Sequence, residues 1–188
     1  MFRRWRHQVT RILLLRHAPP LTGGRLAGRT EVDADLTDHA SLAWMRDRIG
    51  GIEQVISSPA RRCLQTATAL GLSPDVTREA LWEQHYGAWE GLAYADLPDL
   101  GRLDSAALAR HRPDGGESFE DLAARVHPEI ERLQSDTLIV CHAGVIRAAL
   151  SLVVGHAALS FSVAPLSLTI LHRQGDDWSV EAVNVTAP

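Results

Sequence analysis

The chain contains no lysine: all 19 of its basic residues are arginine. This absence excludes chemistry that depends on a lysine amine, such as formation of a Schiff base. Only two cysteines, Cys63 and Cys141, occur among 188 residues, which is too few for the disulfide framework of a small secreted protein. The net charge of −4 gives no reason to expect nucleic acid or an anionic membrane as a partner.

Long apolar runs are also missing, since no stretch approaches the ~20 apolar residues of a membrane span. Residues 1–4 resemble the charged end of a signal peptide. The apolar run that follows covers only Ile12–Leu15, which is shorter than the ~7–15 residues of a signal-peptide core. We therefore expect a reduced, cytoplasmic protein that binds neither nucleic acid nor membrane, and the oligomeric state stays open.

The remaining composition is that of an ordinary globular protein, with 45% hydrophobic and 22% charged residues. We expect one domain over residues 1–188. Strand patterns occur at Ile12–Leu15, Val55–Ser57, Leu138–Cys141, Leu166–Leu171 and, more weakly, Ser179–Val185. Because helical patterns separate the first three strands, we predict an α/β fold, a three-layer α/β/α sandwich with a mostly parallel central sheet.

Three helices have clear sequence features. Ser58 as a capping residue and Pro59 at the first helical position predict a helix that runs to about Leu70. The segment 118–121 resembles a capping box that opens another helix. Gly144–Val154 is apolar nearly all round, which is typical of a helix buried in the core.

Two of the predicted strands lead directly into a histidine. Arg16 and His17 follow the first strand, and His142 follows the strand Leu138–Cys141. In an open parallel sheet, ligands bind just beyond the carboxyl ends of the strands. A guanidinium group and an imidazole at this place could bind an oxyanion and attack it. Arg16 and His17 alone are weak evidence for an anion-binding site, because a histidine at a strand end is usually structural.

Further charged groups occur at Arg61 and Arg62, in the first turn of the predicted helix. A helix start carries free N–H groups and partial positive charge, which favour a bound anion. Successive helical residues point about 100° apart, so only one of these two arginines can face a shared site. Glu83 lies in an aromatic segment, Leu81–Gly91, where partial burial suits a carboxyl group to general acid catalysis.

Other residues are candidate substrate contacts. His85 and Tyr86 lie in the same aromatic segment, and Ala143 opens a helix whose N–H groups could meet an anion. The short lid region and the surroundings of Arg29 and His85 favour a small phosphomonoester as the substrate, while α-ribazole phosphate, a sugar phosphate and a phosphoprotein all stay open. Arg147 lies either in the pocket or on the back of its helix, and the sequence favours neither placement.

This set of groups suits phosphoryl transfer. The transition state needs positive charge around three equatorial oxygens and a nucleophile in line with the leaving group. Arg16 and the inward arginine of the pair can donate bidentate hydrogen bonds to phosphate. One neutral imidazole can attack phosphorus to form a phosphohistidine, while the second, protonated, stabilises charge. Glu83 can protonate the leaving alkoxide and later activate water.

The same residues, in this order, resemble the motifs of the histidine phosphatase superfamily, in the branch that contains phosphoglycerate mutases and α-ribazole phosphatases. The matching segments are Arg16-His17, Ser58–Ala67, Glu83 in the pattern Leu-x-Glu-x-x-Tyr-Gly, Gly116–Ser118 and His142–Val145. The likeness covers roughly residues 10 to 175 and departs at Ala18, where the family usually has glycine.

The resemblance implies a phosphoglycerate mutase-like fold and a role for each matching residue. His17 is then the nucleophile, Arg16 and Arg62 bind phosphate, His142 stabilises the transferring charge, and Glu83 acts as acid and then as base. Arg62 is selected over Arg61 because the family's arginine lies four residues before a Thr-Ala pair. No metal and no other cofactor are expected, since the nine histidines lack the spacing of a zinc site.

Hydrolysis and isomerisation are both known in this family. Leu81–Gly87 reads much like the mutases, but they carry a substrate-binding lysine after this turn, and Ala93 and Tyr94 stand near that place. The chain also lacks room for the mutases' long insertion over the site. We therefore expect a phosphomonoester hydrolase acting on a small phosphorylated metabolite, with a mutase-type isomerase as the alternative.

Two more distant alternatives remain. Cys141 and Arg147 have the spacing of the cysteine-dependent phosphatases, although Ala148 replaces the serine or threonine expected next. That assignment also leaves the remaining histidines and arginines unexplained. A non-catalytic phosphate-binding domain on the same fold is the other alternative.

Overall fold

Six strands form one sheet in the computed structural model, which describes residues 9–188. The strands are β1 (Thr10–Arg16), β2 (Gln54–Ser57), β3 (Val76–Thr77), β4 (Thr137–Cys141), β5 (Leu168–Gln174) and β6 (Asp177–Val185). All five predicted strands are present, and the two-residue β3 was not predicted. The segment Met1–Arg4, which resembles the start of a signal peptide, lies outside the described residues.

The order of the strands places the two predicted histidines side by side. The sheet runs β3-β2-β4-β1-β5-β6. The first four strands in this order pair in parallel, whereas β5 is antiparallel to both β1 and β6. In the β1–β4 register Arg16 is opposite Cys141, so His17 and His142 follow at the same level. The predicted α/β fold with a mostly parallel sheet is confirmed.

Five α-helices occur in residues 9–188, on the two faces of the sheet. They are α1 (His39–Arg48), α2 (Arg61–Ala69), α3 (Ser105–Arg110), α4 (Phe119–Glu131) and α5 (Ala143–Val154). Successive strand residues point to opposite faces, so Ile12 and Leu14 pack with α4 and α5 while Leu13 and Leu15 pack with α1 and α2. The helices on both faces complete the predicted three layers.

Of the two helix caps predicted from the sequence, the structure contains one. The capping box at Ser118 is present, since its hydroxyl accepts from the Asp121 N–H and the Asp121 carboxylate accepts from the Ser118 N–H. Ser58, in contrast, does not cap α2, which begins after Ala60 without a side-chain cap. The Ser58 hydroxyl is used elsewhere, as a partner of His142.

The buried helix α5 also meets a membrane-span criterion by length and composition. Together with the following turn it forms an apolar segment, Ala143–Ser160. In the fold, however, the α5 residues from Ala143 to Ile146 are all buried, and the helix packs against α4 and the sheet. Burial in the core therefore accounts for its apolar composition.

Candidate active site

A pocket of about 240 Å³ opens at the carboxyl ends of β1 and β4. Its wall consists of Arg16, His17, Pro20, Leu26, Ala27, Gly28, Arg62, Glu83, Tyr86, Tyr94, Ala143 and Arg147. The fold thus brings together residues that are up to 131 positions apart in the sequence (Arg147 and Arg16). This location is the one at which open parallel sheets bind ligands.

His17 presents an unprotonated nitrogen in this pocket. Its Nδ1 lies 2.6 Å from the carbonyl oxygen of Ala18, so Nδ1 carries the proton and donates it. Its Nε2 accepts a hydrogen bond from Arg62 Nε at 3.2 Å. Burial, followed by the nearby Arg62 charge, lowers the pKa of His17 to about 3. The imidazole is therefore neutral near pH 7, with its lone pair on Nε2.

His142 lies behind this ring and is fully buried rather than part of the pocket wall. The two ring centroids are 5.1 Å apart, in an edge-to-face arrangement. Arg62 Nη2 lies 3.1 Å from His142 Nδ1, and a guanidinium group can only donate, so Nδ1 accepts. Nε2 then carries the hydrogen and donates to Ser58 Oγ at 2.8 Å.

The protonation state of His142 differs from the sequence expectation. Burial, with His17 and Arg62 adding to it, lowers the pKa of His142 well below its ordinary value. The ring is therefore neutral in the ligand-free protein, whereas the sequence analysis expected the second imidazole to be protonated. A phosphate dianion bound next to these rings would shift the same equilibrium towards the charged form.

Arg62 is the central cation of the site and is 1% exposed. Besides the two histidines, it donates to the carbonyl oxygens of Gly28 and Thr30, at 2.8 and 3.1 Å. The neighbouring Arg61 points outwards, with a side chain that is 57% exposed and paired with Asp33. The structure therefore places Arg62 rather than Arg61 in the pocket.

Arg16 contributes the second guanidinium group of the pocket floor. Its Nη1 donates to the carbonyl oxygen of Val163 at 2.6 Å, which anchors the end of the side chain. Its Nε is buried and has no hydrogen-bond partner among the residues that the structure describes. Burial lowers the pKa of Arg16 from its ordinary value. An anion in the pocket would stabilise this buried positive charge.

Glu83 extends into the pocket from the segment between β3 and α3 and is 9% exposed. Its Oε1 accepts hydrogen bonds from the backbone N–H groups of Gly144 and Gln84, at 3.1 and 3.0 Å. A Cβ atom on Gly144 would lie 2.3 Å from this oxygen. Glycine at the start of α5 is therefore required for the carboxylate to approach so closely.

Replacing this glycine gives a direct test of that approach. We expect Gly144→Ala to displace the Glu83 carboxylate and to lower kcat/KM for an alkyl phosphate by about 10²-fold, the scale that a 1 Å misplacement can produce. Alanine favours the helix, but its Cβ would also lie 2.9 Å from Cδ2 of the buried Leu122, so the free energy of unfolding is measured on the same variant. Gly50→Ala is the matched control, because a Cβ there meets no atom within 4 Å. Wild-type kcat/KM in Gly144→Ala would contradict the prediction.

Two residues predicted as substrate contacts lie outside the pocket wall. Arg29 Nη2 pairs with Glu117 Oε1 at 2.9 Å, and His85 Nε2 lies 3.8 Å from Glu90 Oε1. Both carboxylates are largely buried, and they lie beside the pocket rather than in its wall. Arg29 and His85 therefore lie beside this pocket in the ligand-free protein, and their contact with the substrate stays a prediction.

Two further wall residues were either left open or missed by the sequence analysis. Arg147 lines the pocket, and its Nε donates to the carbonyl oxygen of Phe161 at 3.0 Å. Helical spacing explains this placement. Residues three apart lie on the same face of a helix, so Arg147 shares the face of Gly144, whose N–H donates to Glu83. Tyr94 also lines the pocket. It begins the three-residue 3-10 helix Tyr94–Asp96, which is too short to give a periodic pattern in the sequence.

The cysteine-dependent alternative does not fit this geometry. Cys141 is fully buried and does not line the pocket, and burial raises the pKa of its thiol well above the ordinary value. Because β4 ends at Cys141 and α5 begins at Ala143, the chain up to Arg147 is helix rather than a loop around an anion. The thiol thus has neither access to substrate nor the thiolate character of a nucleophile.

Within residues 9–188 no group of three or more histidine, cysteine, aspartate or glutamate side chains is arranged to bind a metal ion. The positive charges that face the pocket are instead the guanidinium groups of Arg16, Arg62 and Arg147. A phosphate group can be bound by such donors directly, with two parallel hydrogen bonds from one guanidinium.

Sequence comparison relates the chain to known phosphatases. "Bifunctional protein Rv2228c" of Mycobacterium tuberculosis is 32% identical in an alignment that covers 94% of this chain and 54% of the relative. The chain thus spans about half the length of the first curated relatives it matches. The glucosyl-3-phosphoglycerate phosphatase of Mycolicibacterium vanbaalenii is 31% identical over 92% of this chain and 79% of the relative.

Comparison of structures gives the same relation. The native structure of the mycobacterial glucosyl-3-phosphoglycerate phosphatase Rv2419c superimposes with a TM-score of 0.79 and 26% sequence identity. The match covers 95% of this chain and 100% of that chain. The sequence profile of the histidine phosphatase superfamily (branch 1) matches residues 12–186. The chain therefore belongs to the histidine phosphatase superfamily.

Proposed function

We propose that this protein hydrolyses phosphomonoesters through a phosphohistidine intermediate. One observation carries the proposal: the unprotonated Nε2 of His17 lies among cationic groups, in the same pocket as the carboxyl group of Glu83. A neutral imidazole is nucleophilic, the cations bind the anionic substrate, and the carboxyl group can supply a proton. The named phosphatases among the relatives support the same reaction.

In the first step the phosphate group binds to Arg16 and Arg62 and meets His17 Nε2. Arg62 Nε turns from His17 Nε2, which it binds in the free protein, to the phosphate, and the freed lone pair of Nε2 forms the N–P bond while the P–O bond to the leaving group breaks. The electron pair of that bond goes to the leaving oxygen, which takes a proton from the Glu83 carboxyl group. Hydrogen bonding of His17 Nδ1 to the Ala18 carbonyl oxygen stabilises the positive charge that develops on the ring.

In the second step water attacks the phosphohistidine. The oxygen of water forms a bond to phosphorus, the N–P bond breaks, and the electron pair returns to His17 Nε2. The Glu83 carboxylate takes the proton from water, so that inorganic phosphate and the starting enzyme are formed. In the free enzyme His142 fixes Arg62 through its Nδ1. Once bound phosphate raises the pKa of His142, Nδ1 takes up a proton and gives up this hydrogen bond, and the ring adds positive charge behind the transferring group.

The pocket favours a small substrate with a polar or anionic part besides its phosphate. Its volume of about 240 Å³ suits a metabolite rather than a folded phosphoprotein. Tyr86, Tyr94 and Arg147 form the wall around the leaving group, and the guanidinium group of Arg147 adds positive charge there. A substrate with a carboxylate or second phosphate would pair with it.

Hydrolysis is favoured over the mutase alternative. The chain contains no lysine, so the lysine that clamps the substrate in the mutases has no counterpart, and Tyr94 lines the pocket near that place. An assay of 2- and 3-phosphoglycerate interconversion with a bisphosphorylated primer separates the two activities. Efficient interconversion would favour the mutase.

The proposal includes a single catalytic domain and a cytoplasmic location. One continuous sheet supports the first, and the two free cysteines, Cys63 and Cys141, which are compatible with a reducing compartment, support the second.

Trapping of the intermediate tests the proposed function. The protein is mixed with a 32P-labelled phosphomonoester and quenched in base, in which phosphohistidine survives. We expect label on the peptide that contains His17, and turnover of p-nitrophenyl phosphate that persists in EDTA because guanidinium groups rather than a metal bind the phosphate. Phosphate binding without turnover would instead support a non-catalytic domain.

A further inference from the structure

Arg125 lies on α4, outside the pocket wall, yet its side chain reaches the segment that carries Glu83. Its Nη1 donates to the carbonyl oxygens of Ala80 and Trp82, at 2.6 and 2.8 Å. Its Nη2 donates to the carbonyl oxygen of Glu83 at 3.0 Å. One guanidinium group thus binds three carbonyl oxygens within four consecutive residues.

A bidentate ion pair fixes the guanidinium group itself. Arg125 Nε and Nη2 donate to the two carboxylate oxygens of Glu117, at 3.0 and 2.9 Å. Glu117 also accepts a hydrogen bond from the backbone N–H of His85 at 3.0 Å. The Arg125 side chain is 19% exposed, and paired geometry of this kind is stronger and more directional than a single hydrogen bond.

The segment after Glu83 is also held by other groups, since Gln84 Nε2 donates to the Glu117 carbonyl oxygen at 2.7 Å, the Glu117 N–H to the His85 carbonyl oxygen at 2.7 Å and the Tyr86 N–H to Glu90 Oε1 at 3.0 Å. The carbonyl oxygens of Ala80, Trp82 and Glu83, in contrast, are bound by Arg125. Residues 82–86 belong to neither a helix nor a strand. The Glu83 carboxylate accepts only from the backbone N–H groups of Gly144 and Gln84 among the hydrogen bonds of residues 9–188, and no arginine side chain pairs with it there. The place of this carboxyl group therefore depends on where the backbone of the segment lies, and that backbone is bound to Arg125.

We infer that Arg125, oriented by Glu117, is a positioning residue that sets the place of the Glu83 carboxyl group for proton transfer. This inference rests on the proposed function, in which Glu83 protonates the leaving oxygen. Arg125 does not touch the substrate, so it acts on the reaction only through Glu83. A lysine at this position cannot replace it, because one ammonium group does not present the planar, fork-shaped set of donors.

The leaving group supplies a selective readout. An alkoxide is a strong base and needs a proton as it leaves, whereas p-nitrophenolate is a stable anion that leaves without one. Arg125→Lys is therefore expected to lower kcat/KM for glycerol 1-phosphate by at least about 10-fold, and kcat/KM for p-nitrophenyl phosphate by less than about 3-fold. The constant kcat/KM is chosen because it covers the steps up to the first phosphoryl transfer.

The ratio of the two constants is measured on one preparation. A smaller fraction of correctly folded protein lowers both constants equally and leaves their ratio unchanged, so the test survives partial misfolding. Arg132→Gln, which removes an exposed guanidinium group at the end of the same helix, is the matched control and should leave the ratio at its wild-type value. Equal losses on both substrates in Arg125→Lys would overturn the inference.

A double-mutant cycle tests whether the effect passes through Glu83. Glu83→Gln is expected to change the ratio by about 10²-fold or more, since it removes the acid. Arg125→Lys should then change the ratio no further in the Glu83→Gln background, because residues that act as a unit are not additive. A full additional change would overturn the inference alone. A wild-type ratio in Glu83→Gln would overturn the acid role of Glu83, and the inference with it.

Discussion

His17→Ala is expected to lower the turnover of phosphomonoesters by about 10³-fold or more, the scale on which loss of a covalent nucleophile acts. Residual turnover would come from the remaining cations and Glu83. The decisive measurement is kcat on p-nitrophenyl phosphate, with circular dichroism to verify the fold. The loss should appear on this activated substrate as well, because every substrate must be attacked by the same nitrogen.

A second histidine variant controls for the loss of a ring as such. His172 lies on β5 and pairs with Glu181, away from the pocket. His172→Ala should therefore retain wild-type turnover. Near-full activity in His17→Ala would show that another group attacks phosphorus.

His17→Ala should also change how the free energy of unfolding depends on pH. The pKa of His17 is about 3 in the folded protein, against an ordinary value of 6.5. Between these values the unfolded chain binds a proton that the folded protein does not bind, so this histidine makes the free energy of unfolding fall as the pH falls below 6.5. His17→Ala removes this contribution. Its free energy of unfolding should fall less steeply with decreasing pH than that of the wild type, in denaturant titrations at several pH values.

Arg62→Gln is expected to lower kcat/KM by about 10²–10³-fold. Other enzymes lose activity on this scale when one hydrogen-bond donor to the negative charge of the transition state is removed. It should also raise the pKa of His17, because the positive charge of Arg62 is one of the causes that lower it. Activity at pH 5 relative to pH 7 should therefore fall in this variant. Arg62→Lys retains the charge but not the fork of donors, so it should lose activity without this change in the pH profile.

The neighbouring arginine provides the matched control for this pair of variants. Arg61 is exposed and contacts Asp33 rather than the pocket. Arg61→Gln should leave both kcat/KM and its pH dependence unchanged. An unaltered pH profile in Arg62→Gln would contradict the proposed electrostatic coupling between Arg62 and His17.

The parts of the site that were predicted from the sequence depend on local patterns. A short apolar run indicates a buried strand, and the polar residue after the run marks where that strand ends. Arg16-His17 and His142 each follow such a run. The choice between Arg61 and Arg62 followed from the angle between successive helical residues together with the family resemblance. In each case neighbouring residues carry enough information to place the side chain relative to the sheet.

The parts that were missed depend on contacts between distant segments. Ser58 has the sequence context of a helix cap, yet its hydroxyl binds His142, which is 84 residues away. The partner of Arg29, Glu117, lies 88 residues away in the sequence. No local pattern reports which of several possible partners a polar side chain meets after folding.

The spacing of the two histidines is set by the backbone. Each follows a strand at the centre of the sheet, and the hydrogen bonds between those strands fix how far apart the rings can lie. The loops that provide Leu26, Ala27 and Tyr94 lie outside this ladder of bonds. Changes in these loops could therefore redirect the enzyme to new metabolites while its phosphoryl chemistry stays as it is.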